Sequence, residues 1–199
     1  SLTHFVIGAC IGEVILGKKL GKRAMFLGAA AQSIPDIDFI ASFWLNSANN
    51  LLAHRGFTHS ILFLILFTPL LALLAERWHR PHNISIARWS WFFGSSMLIH
   101  IFMDAFNNYG VGWFEPFSHY RVSFNAIFVA DPFFSIWPAI AFIILLFLKP
   151  KIKERKKWAR LGLIFPACYL LLGVFNKVIV DKEIKAKAVK QHITYKRYV

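Results

Sequence analysis

At 199 residues the chain is long enough for one domain, but it is 57% hydrophobic and 17% aromatic, with 21 Phe and 7 Trp, which is more apolar surface than a soluble domain of this size conceals. The formal net charge is +13, yet the cations gather at Lys18 to Arg23, Arg77 to Arg88, Lys149 to Arg160 and after Asn176, between apolar runs, which excludes a nucleic-acid patch and reads as membrane topology. Cys10 and Cys168 each lie inside an apolar run, as packing residues and not as a disulfide or zinc pair.

No cleavable signal peptide is expected, because the first apolar segment carries His4 and Glu13 and runs into lysines without a small-residue cleavage site. Thr3 can cap a first helix from His4 to Leu16, in which Gly8, Ala9 and Gly12 permit close approach of a neighbour. The glycine-punctuated basic turn from Gly17 to Arg23 leads to a second short helix, Ala24 to Ser33, which stops at Ile34-Pro35. The two make an antiparallel hairpin that returns Pro35-Asp36-Ile37-Asp38 to the level of His4, with an extended backbone placing Asp36 and Asp38 on one side. Phe39 to Leu45 reads as a short interfacial aromatic helix and Asn46 to Asn50 as a polar turn.

His54-Arg55-Gly56-Phe57-Thr58-His59-Ser60 then sets two imidazoles, a guanidinium and two hydroxyls on a loop that opens onto a helix N-terminus. Gly56 breaks any helix there, and Ser60 is a good N-cap. Ile61 to Ala75 follows as a span of only ~22 Å at 1.5 Å per residue, against a hydrocarbon core of ~30 Å. Trp89 to Phe106 crosses back and carries His100 and Asp104 four residues apart on one face. An aromatic-rich loop, Asn107 to Ala130, holds His119, Tyr120, Arg121 and Asn125. Asp131-Pro132 is an N-cap and first-turn proline for Phe133 to Leu148. Leu161 to Val180 is a final span. The fold class is therefore all-α, a polytopic membrane bundle of about five embedded helices with short interfacial ones. Residues 1–180 form the embedded domain, and 181–199 form a basic extracytoplasmic tail, read as the start of a longer C-terminal region.

The positive-inside rule puts the three basic turns in the cytoplasm. His4, Asp36, Asp38, His54, His59, His100, Asp104 and Asp131 then all emerge on the opposite side. Ionisable groups at membrane depth are costly unless paired or wet, so their convergence from separate segments points to a metal site.

These residues carry a resemblance. The histidine near the chain start, Pro35-Asp36-Ile37-Asp38, the His54 to Ser60 heptapeptide, and His100-Ile101-Phe102-Met103-Asp104 followed by Tyr109-Gly110 resemble the YdjM-like family of bacterial inner-membrane proteins, described as predicted metal-dependent hydrolases. The resemblance implies a metal site of Asp36, Asp38, His54, His59, His100 and Asp104, with His4 as a weaker member. The order His, Asp, His, then His-x-x-x-Asp is also similar, more loosely, to the zinc-dependent phospholipases C and related nucleases.

Imidazole with carboxylate suits Zn²⁺, with Mn²⁺ or Fe²⁺ as alternatives, and six or seven ligands exceed the three that one catalytic zinc takes, so two ions are expected. The expected chemistry is hydrolysis of a phosphoester in a membrane lipid or lipid-linked substrate at the extracytoplasmic interface. Asp36 is the carboxylate at its centre, Arg55 or Arg121 grips phosphate oxygens, and Thr58 or Ser60 orients ligands. The rival is a non-catalytic membrane protein whose cluster is a structural metal site or an ion path. An intramembrane metalloprotease fits less well, because no His-Glu-x-x-His occurs.

Overall fold

The structure is a computed structural model, describing residues 1–46, 54–79, 82–150 and 153–192. The expected polar turn at 46–50 and the last seven residues of the tail fall largely or wholly outside them.

Six α-helices are described: α1 (Leu2–Leu20), α2 (Arg23–Ser33), α3 (Ile61–Trp78), α4 (Ile86–Asp104), α5 (Pro132–Phe147) and α6 (Lys153–Lys190). The fold is all-helical, and among the described residues the only β pairing is the isolated bridge Val111 to Val122. Two helices, α3 and α6, are long and apolar enough to cross a membrane. The others fall short of that measure for evident reasons. The helix α1 carries His4, Glu13, Lys18 and Lys19, α2 has 11 residues, α5 has 16, and α4 mixes its apolar residues with Arg88, His100 and Asp104.

The α1–α2 hairpin packs with almost no side chain between the helices. A Cβ on Gly12 would run into the Ala24 backbone, and one on Gly28 into the Gly8 backbone. Gly21 turns the chain at φ 57°. Elsewhere, hydroxyl and carboxylate caps set the helix starts. Ser60 accepts from the Phe63 amide at 3.0 Å, and Asp131 accepts from Phe133 and Phe134 at 2.9 and 3.2 Å with Pro132 in the first turn.

Two elements differ from expectation. Pro35–Phe43 is one continuous 3₁₀ helix, not an extended Pro-Asp-Ile-Asp followed by a separate helix. Proline's fixed φ suits a first helical turn, and a three-residue repeat sends Asp36 and Asp38 to different sides. The final helix also runs past Val180 to Lys190, because Asp181–Lys190 contains good helix formers and no glycine or proline to stop it.

The loop 107–130 is tied down at both edges. Phe124 and Ala126 donate their amides to the Ala105 and Phe106 carbonyls at 2.7 and 2.8 Å. Gly112 donates to the Arg55 carbonyl at 2.9 Å. At the other end of α1, buried Glu13 receives Arg155 of α6 bidentately at 2.9 and 2.6 Å, and Arg155 also donates to the Leu145 and Leu148 carbonyls at the end of α5. Gly17 leaves the room Glu13 needs, since a Cβ there would come 2.6 Å from its carboxylate.

Candidate metal centre

The 3₁₀ turn Phe57–His59, the end of α4 and the start of Pro35–Phe43 bring four ligating residues together: Asp36, His59, His100 and Asp104, whose ligand atoms all lie within 4.8 Å of one another. His59 Nε2 is 3.1 Å from His100 Nε2. It is 3.6 Å from Asp36 Oδ1 and 3.5 Å from Asp104 Oδ2. His100 Nε2 is 3.4 and 3.7 Å from the same two oxygens. A tetrahedron of ligands at zinc distances has edges of roughly 3.3–3.4 Å, so these separations fit one ion at the centre with little movement.

Second contacts orient the rings. His59 Nδ1 faces Asp38 Oδ2 at 3.2 Å, and His100 Nδ1 faces the Gln32 carbonyl at 2.5 Å. With Nδ1–H donating in each ring, both Nε2 lone pairs are turned to the shared point. Asp38 is the hub of this outer layer, because it also meets His54 Nδ1 at 3.0 Å, the Arg55 amide at 2.8 Å and the Thr58 hydroxyl at 3.1 Å. Two of the expected ligands, Asp38 and His54, thus support the four-residue group from outside it. His4 stacks on His100 with ring centroids 3.9 Å apart, and its Nε2 lies 3.6 Å from Asp104 Oδ1. Buried His4 Nε2 and Asp104 Oδ2 have no hydrogen-bond partner, as expected of atoms aimed at a cation.

Charge follows from this geometry. Burial alone would raise the Asp36 carboxyl, but the His100 and His59 imidazoles beside it hold it well below the usual carboxylate range. Asp38 is likewise held down by His54 and His59 against its burial. Burial would depress the His59 imidazole, yet Asp104, Asp36 and Asp38 together push it up to about 10.

Arg55 adopts φ 61°. Its guanidinium donates to Asn107 at 2.8 Å, lies 3.4 Å from Asp104 and sits 5.6 Å from the Tyr109 ring centroid. Arg121 reaches the His54 carbonyl at 3.2 Å. Burial lowers its pKa, with Arg55 adding to burial and Glu115 and Asp38 opposing it. A cavity of about 310 Å³ opens at the group, lined by Ser1, His4, Asp36, Phe39, His54 and Arg55. Asp131 lies apart as the α5 cap and accepts from Tyr169 at 2.9 Å. Two contributors escaped the sequence reading. Asn107 stands one turn beyond Asp104 and was detectable by that spacing, whereas the Gln32 carbonyl is backbone and leaves no residue-type signal.

The family model described as YdjM inner membrane protein matches residues 1–180. The chain belongs to the YdjM inner membrane protein family. The inner membrane protein YbcI of Escherichia coli (strain K12) is 31% identical to it over 122 residues, covering 60% of this chain and 69% of that protein. The uncharacterized protein YfhP of Bacillus subtilis (strain 168) is 29% identical over 141 residues, covering 67% of this chain and 42% of that protein. This YdjM-family chain thus spans less than half of YfhP. No solved structure matches it.

Proposed function

We propose that this YdjM-family protein is a membrane-bound, metal-dependent hydrolase that cleaves a phosphoester of a lipid or lipid-linked substrate. The observation that carries the reading is the close group of Asp36, His59, His100 and Asp104, standing beside an open cavity that Asp36 and Arg55 line. These four residues would hold a divalent transition ion, Zn²⁺ by donor type, which when bound would supply Lewis acidity toward a water and a phosphoryl oxygen. His4, with Asp104 Oδ1, marks the side on which a second ion would be held. Asp36, the most exposed of the four ligating side chains at 23%, borders the entrance. Arg55 and Arg121 grip the phosphate oxygens, whose negative charge would offset the repulsion between the two guanidinium groups.

The remaining parts of the reading concern the bilayer. The helices α1, α4 and α5 join α3 and α6 in the bacterial inner membrane, making a multi-pass bundle. The basic turns face the cytoplasm and the metal group faces the extracytoplasmic side. Phe39 lines the cavity and is exposed, as are Phe43 and Trp44 on the same stretch of chain, which suits an interfacial aromatic girdle where a lipid substrate arrives laterally.

One observation favours a second reading. Four protein ligands is the count of a closed structural zinc site, in which the ion fastens the 3₁₀ turns to α4 and catalyses nothing. Elemental analysis of the purified protein, paired with a phosphate-release screen on bacterial lipids, separates the two. Metal with phosphate release supports the hydrolase, metal with no release from any lipid supports the structural site, and absence of metal overturns both.

A further inference from the structure

The cations at the start of α6 are ordered, not scattered. Lys153, Lys156, Lys157 and Arg160 recur at the three- and four-residue intervals of one helix face, and Leu161 and Ile164 continue that stripe toward the apolar part of the helix. The six side chains line one open groove of about 410 Å³. Arg155, in the same basic run, turns the other way and is buried against Glu13. The four outward cations are exposed, and none has an ion-pair or hydrogen-bond partner among the described residues.

Membrane orientation alone does not explain this arrangement. The positive-inside rule counts charges near a span without regard to helix face, and Lys18, Lys19, Lys22 and Arg23 already supply them close by, where Gly21 approaches Pro150. Aligning four like charges within two turns is unfavourable, and doing so at a helix start, where the dipole is already positive, adds to the repulsion. An anion in the groove reverses both effects. The two apolar residues at its membrane end select an anion that carries a hydrocarbon chain.

We infer that this groove binds the phosphate headgroup of an anionic membrane phospholipid, with an acyl chain lying along Leu161 and Ile164. The site lies at the opposite end of α1 from His4 and does not depend on the hydrolase reading.

The test is native mass spectrometry of the full-length chain in detergent, titrated with phosphatidylglycerol or with phosphatidylcholine. The wild-type chain should retain phosphatidylglycerol at least about tenfold more tightly. Lys156→Gln/Lys157→Gln/Arg160→Gln should abolish that preference, and Arg160→Gln alone should lower it partway. The charge-matched Lys182→Gln/Lys187→Gln/Lys190→Gln should keep it. All substituted cations are exposed, and circular dichroism checks that each variant folds. Equal affinity for the two lipids in the wild-type chain, or equal loss in both triple variants, overturns the inference. So does displacement of the lipid by excess inorganic phosphate, because the groove would then be a site for a free anion.

Discussion

His59 and His100 present the same nitrogen to one another, Nε2 to Nε2 at 3.1 Å, while the other nitrogen of each ring is already committed to Asp38 and to the Gln32 carbonyl. Two neutral rings so tautomerised would meet lone pair to lone pair, which is repulsive. Positive charge must lie between them, either a proton or a metal ion. Asp36 and Asp104 close around the same point and reinforce that demand.

The first prediction follows from this competition. Without metal, His59 keeps its proton up to about pH 10, so an incoming ion must displace it. Affinity for Zn²⁺ should therefore rise about tenfold per pH unit from about 7 to about 10. Calorimetry in buffers of differing ionisation enthalpy should count roughly one proton released per ion. A pH-independent affinity over this window would show that the ion displaces no proton from His59.

The same shifts set the stability of the metal-free protein. His59 has a raised pKa, so its contribution is complete below its unfolded value of about 6.5 and is lost as pH climbs through about 10. Asp36 and Asp38 are depressed, so theirs is present above about 4 and is lost on acidification. Melting temperature measured with chelator should be highest between about pH 4 and about pH 6.5 and fall on either side. Added metal should remove the alkaline fall.

Metal content should sort the histidines. His59→Ala or His100→Ala removes an inner ligand and should abolish tight binding, as read by elemental analysis after dialysis. Asp38→Asn and His54→Ala touch only the outer layer, so they should weaken binding by about 10–100-fold without abolishing it. Identical behaviour of His54→Ala and His59→Ala would refute this two-layer arrangement.

Catalysis needs variants that leave the ion in place. Arg55→Gln and Arg121→Ala should each keep the metal while phosphate release falls by about 10²–10³-fold, as expected when a charge that stabilises the transition state is removed. Asp36→Asn, which alters one of the four ligating side chains with almost no change in volume, should instead lower metal content and turnover together while α1 to α6 stay folded. Wild-type turnover in all three would leave the mechanistic reading without support.

Packing is coupled to the site. Gly12→Ala would drive a methyl into the Ala24 backbone and force α1 from α2. The cost should be about 1–3 kcal/mol or more, seen in the melting temperature. Because α1 carries His4 and α2 carries the Gln32 carbonyl that fixes His100, metal affinity should drop with it.

Much of this arrangement was legible in residue types and spacing. Ser60 and Asp131 announced their helices as caps, the glycines of α1 announced a close neighbour, and His100 and Asp104 stood one turn apart. The division of labour between Asp36 and Asp38 was hidden. It depends on the backbone period between them, and Pro35 is compatible with both extended and 3₁₀ chain. The distinction between His54 and His59 was hidden for a similar reason, since the turn Phe57–His59 buries the second and leaves the first half-exposed. The exposed end of α6 has no apolar periodicity, so its helicity rests on weak local preference and was missed.

The contact between Glu13 and Arg155 spans 142 positions of sequence. Each is buried, and either one left without the other would be a stranded charge, at a penalty of about 3–5 kcal/mol. During synthesis Glu13 is made before Arg155, and its carboxylate waits for a counter-ion that leaves the ribosome only once α6 begins. A nascent chain halted before Lys153 would hold an uncompensated Glu13 in α1.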